Sequence, residues 1–484
     1  MIRILEMELR NVKNVTNGRI VFEENSAGGS VTGIYGQNGS GKTAVIDALE
    51  CVQRLMSGEQ TGKNSADLIR YGASDMSIEI LFEISARDGF FARNVYLQYD
   101  VTFIRGGTEN RLRVSRESFR MSVVRDRMGR EVLVHALDSD PDVKGRKNFT
   151  MTPAYLWRSI RSIEDIRSDV DYESNTTFDD SLSYMFSPNH LQRVLESARL
   201  ARREPSQQSK AYLEGTLAPL SKAVELLGDF ARNDMHVSTT SRTSTASYSY
   251  IVLPDVSSGS EGRIYDLIES NPVTEEEYES LNDTVARFNL VLSALIPGLR
   301  IALQETGQKI MPDGSTRLMA TFMSLRGEAR IPFRCESEGI VRLTSLLSLL
   351  VHAYNDRSAC VVVDEIDSGV FEYLLGQLLH VMADRAHGQL VFTAHNLRAL
   401  ETMPNRSIVL TTVDADDRFV PFRGVRETNN GRSRYIADIA GGGAGRILYR
   451  MTDEQSIATS LYRAGHPNDD GNDVSDALKS LLSA

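Results

Sequence analysis

The fold is decided by the stretch Gly36-Gln37-Asn38-Gly39-Ser40-Gly41-Lys42-Thr43. It follows the apolar run Val31 to Tyr35 and precedes Ala44-Val45-Ile46-Asp47-Ala48-Leu49. A strand, a glycine-rich turn and a helix, in that order, are the context in which this glycine and lysine spacing forms a phosphate-binding loop. The sequence therefore predicts an α/β fold built outward from a nucleotide site.

Each residue type in this loop has a physical role. Glycines let successive backbone N–H groups point at phosphates, and the helix that begins near Lys42 adds its positive end. Lys42 would reach the β- and γ-phosphates, and Thr43 would place its hydroxyl on Mg²⁺. We therefore expect ATP to bind along Gly36 to Thr43 and the following Ala44.

Length and composition are typical of a soluble globular protein. The 484 residues suggest two to four structural units, with 41% hydrophobic and 25% charged residues. The N-terminus alternates like a strand and lacks a signal-peptide pattern, and no stretch reaches the about 18 apolar residues of a membrane span. These features predict a cytoplasmic protein without a membrane segment.

Cysteine use and charge limit other functions. Cys51, Cys335 and Cys360 are far apart and show no zinc-ligand spacing, so buried reduced thiols are expected. The net charge of −11 disfavours a broad polyanion-binding surface. A local basic patch remains, because residues 105–130 hold three acids and eight arginines: Arg105, Arg111, Arg113, Arg116, Arg120, Arg125, Arg127 and Arg130. It is either a solvated strand face or a contact for DNA, RNA or an acidic protein.

The pattern of apolar residues divides the chain into four parts. Residues 1–138 read as an ATPase lobe with an antiparallel strand meander, and residues 297–430 as a second lobe of parallel strands and helices. Between them, residues 139–296 read as a compact, mainly helical insertion, and residues 431–484 form an extension with an acidic tail. Helices of the insertion are predicted at Thr152 to Ser162, Asn189 to Arg203, Ser209 to Asn233 and Thr274 to Leu295.

Two strand ends in the second lobe carry candidate catalytic residues. Ala359 to Val363 is an apolar run that ends in Asp364-Glu365, which places two carboxylates where open α/β sheets bind ligands. Asp364 would hold Mg²⁺, and Glu365 would orient and polarise the attacking water. His395 ends another apolar run and would sense the γ-phosphate, although a lone histidine of this kind is more often structural.

A third motif, Ser337-Glu338-Gly339, opens a predicted helix. Its N–H groups and hydroxyl form either an anion site or an ordinary helix cap. As an anion site it would serve the nucleotide of a second subunit, so that ATP joins two copies of the chain.

Together these motifs resemble the ATP-binding-cassette ATPases of the SMC, Rad50 and RecF kind. Glu336-Ser337-Glu338-Gly339 with Arg342-Leu343 is most similar to the branch named after overcoming lysogenization defect, although it lacks the paired glycines of Leu-Ser-Gly-Gly-Gln. The resemblance implies an ABC-type P-loop ATPase head with a mixed central sheet. It also implies that Lys13 lies near the phosphates and that Asp367, Ser368 and Gly369 form a D-loop crossing the interface of an ATP-sandwich dimer or larger homo-oligomer.

Many relatives in this branch carry a C-terminal Toprim nuclease, which this sequence does not match. Asp414-Ala415-Asp416 imitates its metal motif but directly follows a strand, so we expect a surface turn and no nuclease activity.

A compact ATPase of this kind resembles the ATPase subunit of two-component anti-phage systems of the PARIS type, or less closely the Septu type. That resemblance implies a sensor and scaffold that holds a separate Toprim nuclease until a phage-encoded trigger releases it. The alternatives are a RecF-like DNA-repair ATPase that uses the arginine patch and an ATP-dependent interaction module that hydrolyses little.

Overall fold

A computed structural model describes most of both predicted lobes. The described residues are 1–86, 91–106, 108–122, 124–125, 131–132, 135–141, 147–151, 158, 182–187, 207, 217–239, 250–253, 263–422, 435, 447–448 and 453–465. The predicted helices Thr152 to Ser162 and Asn189 to Arg203 lie almost entirely outside this set.

The α-helices of the described part are α1 (Lys42–Met56), α2 (Ala218–Asp229), α3 (Glu275–Leu295), α4 (Glu338–Asn355), α5 (Glu372–Arg385), α6 (Arg398–Thr402) and α7 (Glu454–Gly465). Helix α1 has the bounds expected from the sequence. The side chain of Thr274 caps α3 and Glu277 caps it reciprocally, which fixes the start of that helix. None of the described helices has the length and apolarity that a bilayer crossing requires.

The strands are β1 (Ile2–Val12), β2 (Val15–Val21), β3 (Ser30–Tyr35), β4 (Asp75–Ile84), β5 (Val95–Arg105), β6 (Leu112–Ser122), β7 (Val124–Arg125), β8 (Glu131–Val132), β9 (His135–Pro141), β10 (Lys147–Met151), β11 (Met235–Ser238), β12 (Tyr250–Leu253), β13 (Arg263–Asp266), β14 (Asn271–Val273), β15 (Leu299–Ile310), β16 (Thr316–Arg326), β17 (Ala329–Pro332), β18 (Cys360–Val363), β19 (Gln389–Ala394), β20 (Ile408–Thr411) and β21 (Phe419–Pro421).

The central sheet has the order β11-β18-β19-β3-β20-β21. Its first five strands are parallel, and β21 pairs antiparallel with β20. Strands β3, β18 and β19 are buried along their whole length, as expected for strands covered on both faces. The predicted α/β class with a mixed central sheet is confirmed.

An antiparallel sheet, in the order β10-β9-β6-β5-β4-β1-β2, covers one side of the molecule. Its apolar face and one face of the central sheet enclose α1, and together they form the largest core. The buried side chain of Gln389 joins the two sheets, because it accepts a hydrogen bond from the Ile4 N–H at 2.9 Å and donates to the Ile4 carbonyl at 2.8 Å. Helix α1 is thus held on two sides at the point where it follows the phosphate loop.

The opposite face of the central sheet is covered by α4 and α5. Helix α4 packs with its other side against α3 and the antiparallel strands β15 and β16. The helix that opens with Ser337 therefore lies between the central sheet and an outer sheet.

Two expectations differ from the structure. Met235–Ser238, placed by sequence in the helical insertion, forms β11 and pairs in parallel with β18 at the edge of the central sheet. Its four residues are too short to show strand periodicity, so only pairing with β18 reveals it. Cys51 and Cys360 are buried as expected, but Cys335 is exposed because it lies in a single 3-10 turn before α4.

The arginine patch is also partly structural. Arg105 donates to the backbone carbonyls of Ala73 and Ile69, and Arg111 binds Glu109 and the Thr61 carbonyl. Arg127 and Arg130 lie outside the described residues. At least two of the eight arginines therefore hold neighbouring loops in place.

Candidate active site

The predicted site residues meet at one edge of the central sheet. Strands β18, β19 and β3 are neighbours and run in parallel, so their carboxyl ends lie side by side. A cleft of about 770 Å³ opens there. It is lined by Lys13, Asn14, Asn38, Gly39, Ser40, Gly41, Lys42, Thr43, Ala44, Asp364, Glu365, Asp367, Ser368, Thr393 and His395.

The phosphate loop is closed around the ammonium group of Lys42. Lys42 Nζ donates to the carbonyls of Gly36 at 2.8 Å and Gln37 at 3.0 Å. Gly41 directly precedes α1 and has a φ of 96°, a conformation in which a residue with a side chain would be strained. Burial lowers the pKa of Lys42, while the nearby carboxylates, Asp364 first, raise it. The loop therefore presents N–H groups and one cation to the cleft.

The two acids after β18 are held by Thr393 in the neighbouring strand. Asp364 is buried, and its Oδ1 accepts a hydrogen bond from the Thr393 hydroxyl at 2.6 Å. The same hydroxyl accepts from the Glu365 N–H at 2.7 Å. Glu365 has a φ of 48°, in the left-handed region, and its side chain is 42% exposed. The buried acid thus lines the cleft and the exposed one extends into it.

Helix α4 contacts the turn that carries Asp364 and Glu365. Arg342 is almost fully buried and donates through Nη2 to the carbonyl of Glu365, with the Asp364 carbonyl 3.4 Å away. This links the helix that opens with Ser337 to the backbone of the acid pair.

His395 lies opposite Glu365, with 3.9 Å between His395 Nε2 and Glu365 Oε1. Its position is fixed by Asp367, whose Oδ2 accepts hydrogen bonds from the N–H groups of His395 and Asn396. The predicted D-loop acid therefore also sets the backbone that carries the histidine.

Lys13 lies on the opposite wall of the cleft, in the tight turn between β1 and β2, and has a φ of 51°. Its ammonium group forms an ion pair with Asp47, a buried residue of α1. Burial raises the pKa of Asp47, and Lys13 opposes that rise. The pair fixes the β1–β2 turn against the helix that follows the phosphate loop.

The Ser-Glu-Gly motif does not line the cleft of its own chain. Ser337 and Glu338 are exposed at the start of α4, and the Ser337 side chain makes no capping hydrogen bond. Gly339 packs on the D-loop so closely that a Cβ there would lie 2.3 Å from the Gly369 carbonyl oxygen. The motif and the D-loop form one continuous surface beside the cleft.

The donor set fits a hard divalent cation. The Thr43 hydroxyl and the Asp364 carboxylate line the same cleft, and oxygen ligands of this kind suit Mg²⁺. Asp414-Ala415-Asp416 does not line the cleft and forms the turn between β20 and β21, where the Ala415 carbonyl accepts hydrogen bonds from the N–H groups of Thr16 and Asn17.

Sequence reasoning missed Thr393, Asp47 and Arg342 as members of the site. Thr393 carried a usable signal, because it precedes His395 by two residues and so shares its face of the strand. Asp47 carried none, and Arg342 was noted only as part of the motif that follows Ser337, because the partners of both residues are distant in sequence and become neighbours only through packing.

Comparison with known proteins supports an ATPase domain. Residues 6–198, which contain the phosphate loop, match the family model of an AAA domain. No curated protein matches the chain. Among solved structures the chain is similar to the Smc head domain with an extended coiled coil, bound to the C-terminal domain of ScpA, from Pyrococcus furiosus, at 12% identity over 87% of this chain and 96% of that one, with a TM-score of 0.38. It is also similar to the SMC head domain from Thermotoga maritima, at 15% identity over 87% of this chain and 100% of that one, with a TM-score of 0.35.

Proposed function

We propose that the chain binds and hydrolyses ATP in the cleft between the phosphate loop and the acid pair. One observation carries this proposal: Lys42, Asp364, Glu365 and His395 come from distant parts of the sequence and line a single cleft. A phosphate-binding turn facing two carboxylates is the arrangement that phosphoryl transfer to water needs.

Each residue of the cleft has a separate role in the proposed reaction. Lys42 and the loop N–H groups bind the phosphates, and Thr43 with Asp364 would hold Mg²⁺, which neutralises charge on the phosphates when bound. Glu365 orients a water molecule and draws its proton, and its partly exposed carboxylate suits that role. His395, beside Glu365, would contact the γ-phosphate.

A second copy of the chain would complete the site. The exposed Ser337 and Glu338 do not line the cleft of their own chain, and they lie next to the D-loop, which Gly339 contacts. The N-terminus of α4 offers N–H groups to an anion. We propose an ATP-joined homodimer in which each copy presents this motif to its partner.

Substitutions of Lys42 and Glu365 test the proposed activity. Lys42→Ala should abolish ATP binding, whereas Glu365→Gln should bind ATP and lower kcat by about 100-fold or more because the water loses its base. Labelled-ATP binding and phosphate release measure the two effects. Wild-type turnover by Glu365→Gln would refute the role of that carboxylate.

At a finer level, we propose that the chain is the ATP-dependent sensor and scaffold of a bacterial anti-phage complex that restrains a separate nuclease. The support is the similarity of Glu336-Ser337-Glu338-Gly339 and Arg342 to the overcoming-lysogenization-defect branch. Co-purification with a nuclease encoded beside it, and loss of phage protection in Lys42→Ala cells, would test the role.

The DNA-repair alternative requires a basic surface. The internal contacts of Arg105 and Arg111 reduce the part of the arginine patch that DNA would meet. Binding to DNA that strengthens with ATP and falls steeply with salt would favour repair over defence.

A further inference from the structure

Thr393 makes two hydrogen bonds that join both acids of the cleft. The residue is 0% exposed. Its hydroxyl donates to Asp364 Oδ1 and accepts from the Glu365 N–H, at 2.6 and 2.7 Å. A hydroxyl has one proton to donate and two lone pairs, so one side chain can satisfy both partners at once. Thr393 thereby fixes the carboxylate of one acid and the backbone of the other.

The backbone around Glu365 needs such a restraint. Strand β18 pairs with β19 up to Val363 opposite Phe392, and the chain then turns. Glu365 adopts a φ of 48°, a left-handed conformation that is strained for a residue with a Cβ and persists only where its surroundings hold it. The Thr393 carbonyl also accepts from the Ile366 N–H at 3.0 Å. Side chain and backbone of Thr393 therefore both hold this turn.

We propose that Thr393 is a positioning residue for ATP hydrolysis, which sets Asp364 for its cation and Glu365 for the attacking water through a single hydroxyl. The inference rests on the proposed ATPase function. This role differs from that of an ordinary core threonine, because removing the Thr393 hydroxyl should disturb both acids without creating a cavity in the core.

The chain offers a matched control in the adjacent strand. Thr32 lies in β3 opposite Val391, is 1% exposed, and its hydroxyl has no hydrogen-bond partner among the described residues. Thr32→Val and Thr393→Val therefore make the same chemical change at similar burial. Only Thr393→Val breaks hydrogen bonds to the acids.

The test compares Thr393→Val, Thr393→Ser and Thr32→Val with the wild type. Thr393→Val should lower kcat by about 10–100-fold, the usual effect of losing a residue that orients a metal ligand. Its affinity for a fluorescent ATP analogue without Mg²⁺ should stay within about twofold, while the gain in affinity on adding Mg²⁺ shrinks. Thr393→Ser keeps the hydroxyl and should recover most of kcat, and Thr32→Val should match the wild type in both assays.

Each outcome decides the proposal. Wild-type kcat in Thr393→Val, an equal loss in Thr32→Val, or no recovery in Thr393→Ser would overturn the assigned role while leaving the ATPase itself intact. Absence of ATP binding and turnover in the wild type would instead overturn the proposed function and this inference with it. Thermal unfolding of each variant shows that the compared proteins are folded.

Discussion

Arg342 shows how a single buried charge shapes the cleft. Its guanidinium donates to the carbonyl of Glu365, a residue already held in the left-handed region. A carbonyl that loses its donor inside the protein costs about 1–3 kcal/mol, so this contact adds to the hydrogen bonds by which Thr393 holds the turn. Arg342 lies in α4, which Ser337 directly precedes, so a movement of that helix would reach Glu365, the proposed catalytic acid.

Replacing Arg342 by Met should leave ATP binding intact and reduce kcat by about tenfold, because Glu365 can then relax from its productive position. Steady-state phosphate release together with nucleotide binding measures the two parameters separately. Arg19→Met is a suitable control, because that exposed arginine pairs with Glu6 in the antiparallel sheet and contacts neither the turn nor the Ser-Glu-Gly motif. An unchanged kcat in Arg342→Met would show that the turn is held without it.

The Lys13–Asp47 pair leads to a pH-dependent prediction. Burial raises the folded-state pKa of Asp47, and Lys13 opposes that rise, so Lys13→Met should raise the pKa further. The folded protein then keeps a proton that the unfolded chain has released, and the loss of stability grows as pH rises above the ordinary carboxyl range. We expect a loss of about 1–2 kcal/mol at pH 8, below the value for a fully buried pair because Lys13 is partly exposed.

Urea unfolding of Lys13→Met at pH 5 and pH 8 measures this difference. The double variant Lys13→Met/Asp47→Asn removes the uncompensated carboxylate and should lose the pH dependence. Equal destabilisation at both pH values would contradict the ion-pair explanation.

At the scale of elements, Glu117 docks a distant segment onto the antiparallel sheet. It is fully buried in β6 and accepts hydrogen bonds from Tyr99 OH at 2.7 Å, Ser183 Oγ at 2.6 Å and the Tyr184 N–H at 2.7 Å. Residues 182–187 belong to the predicted insertion. These contacts hold them against the antiparallel sheet of the first lobe.

Glu117→Ala should release that segment, because three buried donors lose their acceptor at about 1–3 kcal/mol each before relaxation. The rate of amide hydrogen exchange in peptides covering residues 182–187 should rise, and the rate in α1 should change less. Glu6→Ala, at an exposed ion pair with Arg19 in the same sheet, serves as control. Unaltered protection of residues 182–187 would show that Glu117 is not their anchor.

The outer face of the same sheet carries three neighbouring acids, Glu8, Glu79 and Asp100, on adjacent strands. Burial, and then Asp100, raise the pKa of Glu79 to about 7. Since the folded-state value exceeds the unfolded one, Glu79 reduces stability progressively as pH rises from its ordinary range through about 7. Glu79→Gln should therefore unfold at higher temperature than the wild type at pH 8 and at the same temperature at pH 4.5. A difference independent of pH would contradict this.

At the scale of the whole molecule, the proposed dimer would divide the site between two surfaces of each chain. The phosphate loop lines the cleft, whereas Ser337 lies outside it at the exposed start of α4. If two copies join through ATP, each complete site uses the loop of one copy and the motif of the other.

Mixing Lys42→Ala with Ser337→Arg tests this arrangement. Each variant alone should be inactive, but a mixed dimer contains one site in which both parts are intact. If copies pair at random in a twofold dimer, about a quarter of the wild-type rate should return on mixing. No recovery, with both variants folded and able to exchange subunits, would refute the shared site.

The phosphate loop, the acid pair after β18 and the histidine after β19 were predictable, because their chemistry is local. Glycine spacing, apolar runs and polar residues at strand ends follow one another along the chain. These patterns also predicted α1, α4 and the mixed sheet. The short strand β11 and the exposure of Cys335 were not predictable, because four residues or one turn carry no periodicity.

What the sequence by itself determined is therefore the phosphate loop, the acid pair and the histidine that line the cleft, and the α/β class that brings them to one sheet edge. The tertiary structure alone decided how those groups are held: Thr393 on both acids, Arg342 beneath Glu365, Asp47 against Lys13 and Gln389 between the sheets. The physical reason is that such contacts join residues far apart along the chain, and their geometry depends on side-chain packing that no local pattern encodes.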